Sequence, residues 1–391
     1  MPSSSRTGLS AVLTLLLVLA TVGSAMSQQP EGFSTRAQRV MMIDADTGAV
    51  LYAKEPDARF PPASLAKLMT MEVVFAALKA GEVSGFTAYK VSEHAWRTGG
   101  APSRTATMFA ALNSMVPLND LIQGAIVIFA NDACIVMAEG MAGSEAAFAE
   151  KMNARAGELG LAASRFVNPT GLPGDGQSTS VRDLAQLARH IWRSYPDRFS
   201  LYAQPEFAWN KITQQNRNPL LKLGIGADGF VAGFAEEAGY GIVATAARGD
   251  RRLILAASGM ENEKHRIEDT RALIDWGMTA FEKLQIFDAG EIIGEASVFG
   301  GDRGRVKLAA AEPVSLLIPI AGDQDIRARV VYHGPVVAPI RKGDPIGRLV
   351  VTSAGSPIQE APLFAVEAVE TGGLLQRALG AVYELSFGWL R

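Results

Sequence analysis

Apolar and polar positions along the chain change period several times, and each change predicts an element. "QRVMMIDADTGAVLYAKE" places two apolar runs around Asp46-Thr47-Gly48, a turn signal, and reads as a β-hairpin. From Ser64 the spacing becomes helical and continues to about Ala80, where Gly81 supplies a stop. Residues from about 117 to 195 are rich in Ala, Leu and Ile at helical period, interrupted by loops such as "NPTGLPGDGQSTS". From Asp228, "GFVAGF", "AGYGIVATAARG" and "RRLILAASGM" read as a β-meander with glycine turns, followed by a helix over about 268–283. Strands at both ends with helices between them predict an antiparallel sheet flanked by helices, an α+β fold.

After Phe287 the pattern changes to short strands separated by Gly, Pro and Asp, in "VKLAAAEPVSLLIP", "IRARVVYHGPVVAPI" and "IGRLVVTSAGSPI". This predicts a small β-sandwich over 287–370, without clustered polar chemistry, acting as a spacer or docking module. In 371–391, Leu374, Leu375, Ala378, Leu379, Val382 and Tyr383 share one helical face, and Phe387, Trp389 and Leu390 follow. We read this segment as an amphipathic helix lying on a membrane surface. The plainer alternative is a helix packed on its own domain.

The first 27 residues read as a secretory signal peptide: Arg6, the apolar run "LSAVLTLLLVLATVG", then small residues at Gly23-Ser24-Ala25. The expected order is therefore signal peptide 1–27, main domain 28–286, sandwich 287–370 and terminal helix 371–391. The expected location is the periplasm, peripheral on the inner membrane.

Composition removes several other classes. Lys+Arg 37 against Asp+Glu 40, with a pI near 5.9 and no basic cluster, argues against nucleic acid as a partner. The four histidines are scattered without a ligand-like spacing, so neither a metal nor another cofactor is expected. Cys134 is the only cysteine, so no internal disulfide can form.

Candidate chemistry starts at "PPASLAKLMT". Ser64 and Lys67 stand three residues apart, so on a helix they share one face. A hydroxyl becomes a nucleophile when a base takes its proton, and a lysine serves only when neutral. Burial and a helix N-terminus both push a lysine toward neutrality. The same N-terminus offers the Ser64 N–H to an oxyanion. The bland alternative is a helix-capping serine beside a surface lysine; such a spacing arises about once or twice by chance in a chain of this size.

The context resembles the low-molecular-mass penicillin-binding proteins, the serine-type D-alanyl-D-alanine carboxypeptidases, from about residue 38 to the C-terminus. The strings that carry the resemblance are "IDADTGAVLYAKEPDARFPPASLAKLMT", "AWRTGGAPS", "NDACIVMAEGMAGSEAAFAEKMN", "AGYGIVATA" and the terminal amphipathic segment. It implies that Ser64 is the acyl-enzyme nucleophile and Lys67 the general base. The substrates would be peptidoglycan stem peptides ending in D-Ala-D-Ala, with β-lactams as ligands if the site can be acylated.

Two motifs depart from the pattern that this resemblance implies. Where the family has Ser-Gly-Asn-Asp, this chain reads Phe129-Ala130-Asn131-Asp132: Asn131 matches, and the serine that would relay a proton is Phe129. Where the family has Lys-Thr-Gly, the chain reads Val231-Ala232-Gly233, so only Gly233 survives of the substrate-binding strand. The Phe234 N–H can still complete an oxyanion hole, and Arg266 falls where the family carries an arginine. Losing a charged hydrogen bond would weaken binding about tenfold to hundredfold. Losing a proton relay would remove ~10²–10⁴ in rate.

Two readings follow. One is a serine carboxypeptidase working with a reduced site. The other is an inactive descendant that serves as a peptidoglycan-binding or scaffold protein. A β-lactamase is a more distant third.

Overall fold

The computed structural model describes residues 33–320, 326–353 and 356–374. The expected signal peptide, and the expected terminal helix beyond Leu374, lie outside them.

The predicted hairpin forms from β1 (Arg39–Asp44) and β2 (Val50–Lys54). Asp44 fixes its turn: one carboxylate oxygen accepts from both the amide and the hydroxyl of Thr47, each at 2.8 Å. Gly48 then takes a positive φ of 77°. A 3-10 turn, Ala63–Ala66, leads into α1 (Lys67–Lys79), which stops before Gly81 at φ 72°.

The helical region begins around α2 (Glu93–Thr98), flanked by the short pair β3 (Ala88–Lys90) and β4 (Met115–Pro117). It continues through α3 (Leu118–Val127), α4 (Asn131–Ala142), α5 (Glu145–Glu158), α6 (Val181–Ser194) and the short α7 (Pro196–Phe199). A small hairpin follows, β5 (Glu206–Trp209) with β6 (Ile212–Gln215). The meander is β7 (Ala227–Ala235), β8 (Gly239–Arg248) and β9 (Arg251–Met260), and α8 (Glu263–Thr279) comes after it.

One antiparallel sheet, in the order β2-β1-β9-β8-β7, brings the two ends of this region together. The β1 strand is buried along all but its first residue, because α6 packs on β1 and β9 while α8 packs on β8 and β9. On α6, Val181, Leu184, Ala185, Leu187, Ala188 and Ile191 form the apolar stripe that makes this contact. The first eight residues of α4 are all buried, so this helix runs through the core. The edge strand β7 lies against the turn that carries Ser64.

The helix expected over about 268–283 instead occupies Glu263–Thr279. Its polar first turn, capped by Asn262 accepting from His265 N at 2.8 Å, carries no apolar period from which to read a start. At its other end Phe281 is drawn into a strand, β10 (Phe281–Phe287), paired with β13 (Val314–Pro319). Beyond it, β11 (Ile292–Phe299), β12 (Arg305–Ala309), β14 (Ile326–Tyr332), β15 (Val336–Val337), β16 (Pro345–Ser353) and β17 (Ser356–Ala365) form a six-stranded sheet, β14-β16-β17-β12-β11-β15. Ala296, Leu308, Leu316, Leu349 and Leu363 lie in the separate apolar core of this second β unit.

Candidate active site

Lys67 is the first residue of α1 and only 2% exposed, and its Nζ donates to Ser64 Oγ at 3.2 Å and to the Thr170 carbonyl at 2.6 Å. Ser64, one turn earlier, caps nothing: the N-cap position is Ala66 and makes no side-chain hydrogen bond. The bland picture of a capping serine and a surface lysine is therefore excluded.

Burial is the main reason the Lys67 pKa falls, from an ordinary 10.5 to about 8. The Arg217 charge pushes the same way and the Cys134 thiol opposes it. At pH 7 roughly a tenth of such a lysine is neutral, against about one part in three thousand for a free one.

Local sequence explains the placement. Asn168 folds "NPTG" back on itself, its Oδ1 accepting from Thr170 N, Thr170 Oγ1 and Gly171 N at 3.2, 2.9 and 2.8 Å. Gly171 has φ 80°, and a Cβ there would stand 1.7 Å from the Ala63 carbonyl oxygen. Only glycine lets this loop close on the Ser64 turn and bring the Thr170 carbonyl onto Lys67.

The third motif segment lies on β7, where Gly233 also makes a close approach. A Cβ there would stand 3.2 Å from the Ser64 amide nitrogen, so the strand passes directly against the nucleophile's backbone donor. Val231 and Ala232 are buried, at 3% and 6% exposure, and supply no cation or hydroxyl. Phe234 is half exposed, with its ring 4.6 Å from that of Tyr240.

Arg266 lies at the end of this strand, donating to Glu263 Oε1 at 2.8 Å and to the Gly233 carbonyl at 3.4 Å. Its guanidinium sits 5.3 Å over the Tyr240 ring. Burial lowers its pKa, and Glu263 and Tyr240 oppose the shift. The arginine is thus engaged with Gly233 and Glu263, and one guanidinium nitrogen, Nε, is buried without a partner among the described residues.

The second motif occupies the α3–α4 junction. Phe129 takes φ 56° and is 5% exposed, its ring joined to the main apolar core. Asn131 is also buried. Its amide N–H donates to the Ala106 carbonyl at 2.7 Å and its Nδ2 to Thr105 Oγ1 at 3.0 Å, while Oδ1 has no partner among the described residues. Such an orphaned acceptor costs about 1–3 kcal/mol, a strain that a ligand or a protonated base could relieve.

Next to it, the Asp132 carboxylate collects Thr107 Oγ1 (2.6 Å), Met108 N (3.0 Å) and Ala110 N (3.1 Å), pinning the 105–110 loop to the start of α4. Burial raises the Asp132 pKa even though these donors oppose it.

The structure adds four residues that sequence reasoning missed. The Thr170 carbonyl is the strongest partner of Lys67, but a backbone oxygen carries no residue signature. Cys134 is fully buried beside Lys67, its thiol pushed up to about 12 by burial. The available signal was its position three residues after Asn131 on one helix. Arg217, whose amide donates to Val127 O at 3.0 Å, sits in a polar loop that gives no cue. Thr105 meets Asn131 only through tertiary folding.

With this geometry established, comparison with known proteins is specific. The model of the D-alanyl-D-alanine carboxypeptidase family matches residues 24–262, and that of the penicillin-binding protein 5 C-terminal domain matches 281–371. D-alanyl-D-alanine carboxypeptidase DacC of Escherichia coli is 34% identical over 96% of this chain and 94% of its own length. Penicillin-binding protein 5 from Haemophilus influenzae superposes with a TM-score of 0.77 at 35% identity, covering 87% of this chain and 99% of that one. Penicillin-binding protein D2 from Listeria monocytogenes, solved in an ampicillin-bound form, superposes over 64% of this chain and 100% of that one, with a TM-score of 0.55 at 27% identity. On the family model and the whole-length likeness together, the chain belongs to the D-alanyl-D-alanine carboxypeptidase family.

Proposed function

We propose that the protein is a serine D-Ala-D-Ala carboxypeptidase that trims peptidoglycan stem peptides through a Ser64 acyl-enzyme, with a rate lowered by its altered motifs. The observation that carries this reading is the buried Lys67 amine, poised to be neutral, at 3.2 Å from the Ser64 hydroxyl. Neutral Lys67 takes the Ser64 proton as Oγ attacks the carbonyl of the penultimate D-alanine. The N–H groups of Ser64 and Phe234 stabilise the oxyanion. The carbon–nitrogen bond then breaks, the departing D-alanine amine takes the proton from the Lys67 ammonium, and water completes hydrolysis by the reverse relay.

Asn131 and Gly233 remain for substrate, with Arg266 at the strand end. Phe129, Val231 and Ala232 remove a relay hydroxyl, a cation and a second hydroxyl, so slow turnover follows. A β-lactam would be attacked by the same hydroxyl, as its presence in the Listeria relative suggests. The three replacements also favour a second reading, a binding or scaffold protein that retains the fold without turnover.

The test is release of D-alanine from a D-Ala-D-Ala peptide, with a labelled penicillin to mark the nucleophile. Slow D-alanine release and label on the Ser64 peptide are expected. Absence of both would overturn the enzyme reading in favour of the scaffold.

We further propose export to the periplasm by residues 1–27 and attachment to the membrane surface by 371–391. Among the described residues no helix is long and apolar enough to cross a membrane. Deleting 372–391 should move the protein from membrane to soluble fractions; an unchanged distribution would refute the anchor.

A further inference from the structure

Asn131 is the second-motif residue that survives, and its side chain meets Thr105. A carboxamide can sit in either of two orientations, and its neighbours decide which. Here the neighbours form a chain. Ser103 Oγ donates its only proton to the Gly100 carbonyl at 2.7 Å. The 2.8 Å contact between Ser103 Oγ and Thr105 Oγ1 must therefore be donated by Thr105. With its proton committed, Thr105 can only accept from Asn131, at 3.0 Å, so the carboxamide atom facing it must be Nδ2. Oδ1 is then turned away from Thr105, buried and unpartnered among the described residues.

The helix that carries Asn131 also borders the base. Asn131 and Cys134 are one turn apart on α4, and Cys134 lies close enough to Lys67 for each to feel the other's charge. Lys67 Nζ already serves two acceptors, Ser64 Oγ and the Thr170 carbonyl. An ammonium has a third N–H, and the orphaned Oδ1 is an acceptor available to it. The loop carrying Thr105 cannot drift, because Asp132 holds Thr107, Met108 and Ala110, and Asn131 N holds the Ala106 carbonyl.

We propose that Thr105, set by Ser103, is a positioning residue that aims the Asn131 carbonyl oxygen at the Lys67 side of the site. This deepens the proposed function and rests on its assignment of Lys67 as base, but it can be tested without turnover.

The first measurement is the Lys67 titration, followed by its ¹³Cε resonance in unreacted protein. Thr105→Val keeps the shape, removes the acceptor and frees the carboxamide to turn its N–H groups toward Lys67. An N–H there disfavours the ammonium, so the Lys67 midpoint should move down in Thr105→Val and return in Thr105→Ser. The titratable and charged groups that also act on Lys67 are Cys134 from α4 and Arg217 from the loop after β6, and neither variant alters them. The second measurement is acylation by a labelled penicillin. It should fall about tenfold in Thr105→Val, the scale of one lost hydrogen bond, and recover in Thr105→Ser.

An unchanged Lys67 midpoint in folded Thr105→Val would overturn the proposal whether or not the parent is acylated. A parent that is never acylated, but whose Lys67 midpoint falls in Thr105→Val and recovers in Thr105→Ser, would keep the proposal and sink the enzymatic reading instead.

Discussion

The helix α1 holds two buried ionisable residues little more than a turn apart, and they are treated in opposite ways. Glu72 has no exposed surface and is surrounded by partners: Arg155 at 2.8 Å, His190 at 3.3 Å and the Tyr195 hydroxyl at 3.0 Å. Burial pushes its carboxyl up, but the hydrogen bonds and charges of His190 and Arg155 outweigh that and hold it below the ordinary range. Lys67 is almost as deeply buried, and the groups whose charge it feels are a thiol and an arginine, neither of them a carboxylate. The pairing at Glu72 keeps a charge and serves the fold. The lack of it at Lys67 disfavours a charge, and such a strained, reactive group is what an acyl-transfer site requires.

The comparison breaks most sharply at the base itself. Lys67→Met should lower penicillin acylation by ~10²–10⁴, the usual contribution of a general base, measured as adduct formed over time. The same change should stabilise the fold near neutral pH. Holding the Lys67 ammonium at a pKa of about 8 instead of 10.5 costs about 3 kcal/mol. Orphaning the Thr170 carbonyl gives back about 1–2 kcal/mol of that, so a net gain of about 1–2 kcal/mol is expected in urea.

The sign with pH follows. A lysine with a depressed folded pKa binds fewer protons folded than unfolded between pH 8 and 10.5. Stability of the parent should therefore rise relative to Lys67→Met across that window.

At the other end of the pair the sign reverses. Glu72→Gln leaves Arg155 and His190 without their anion and should destabilise by about 3–5 kcal/mol, read as a shift in the denaturant midpoint. The folded fraction should still form the Ser64 adduct at the parent rate. The depressed Glu72 carboxyl contributes stability above its unfolded pKa near 4.5 and loses it as pH falls through the lower folded value. Acidification should therefore narrow the gap between parent and variant.

A smaller effect should come from repairing the site. Val231→Lys and Ala232→Thr together should raise acylation about tenfold to hundredfold, the scale of one charged hydrogen bond, with label still on Ser64. Failure to gain would mean that these positions do not border the reaction.

How far the sequence could be read divides along the same line. The Ser64–Lys67 pair was legible because both residues belong to one turn, where spacing alone fixes proximity. The meander was legible because continuous apolar runs bounded by glycine turns mark buried strands, and Gly233 fell on the strand beside Ser64. The Glu72 cluster was not, since Arg155 lies 83 residues away in sequence and no periodicity links them. Nor could any pattern reveal that Lys67 meets no carboxylate among the described residues, because burial and counter-charge are properties of packing. Nor does the sequence say where the Phe129 ring goes: it is packed in the apolar core.

The central claim is that a buried amine, left without a carboxylate partner among the described residues, can deprotonate Ser64. The most direct measurement is the pH dependence of Ser64 labelling by penicillin, with the site confirmed by peptide mapping. The account predicts a rate that climbs about tenfold per unit below pH 8 and levels off above it. A flat profile from pH 6 to 9, or label on any residue other than Ser64, would contradict it.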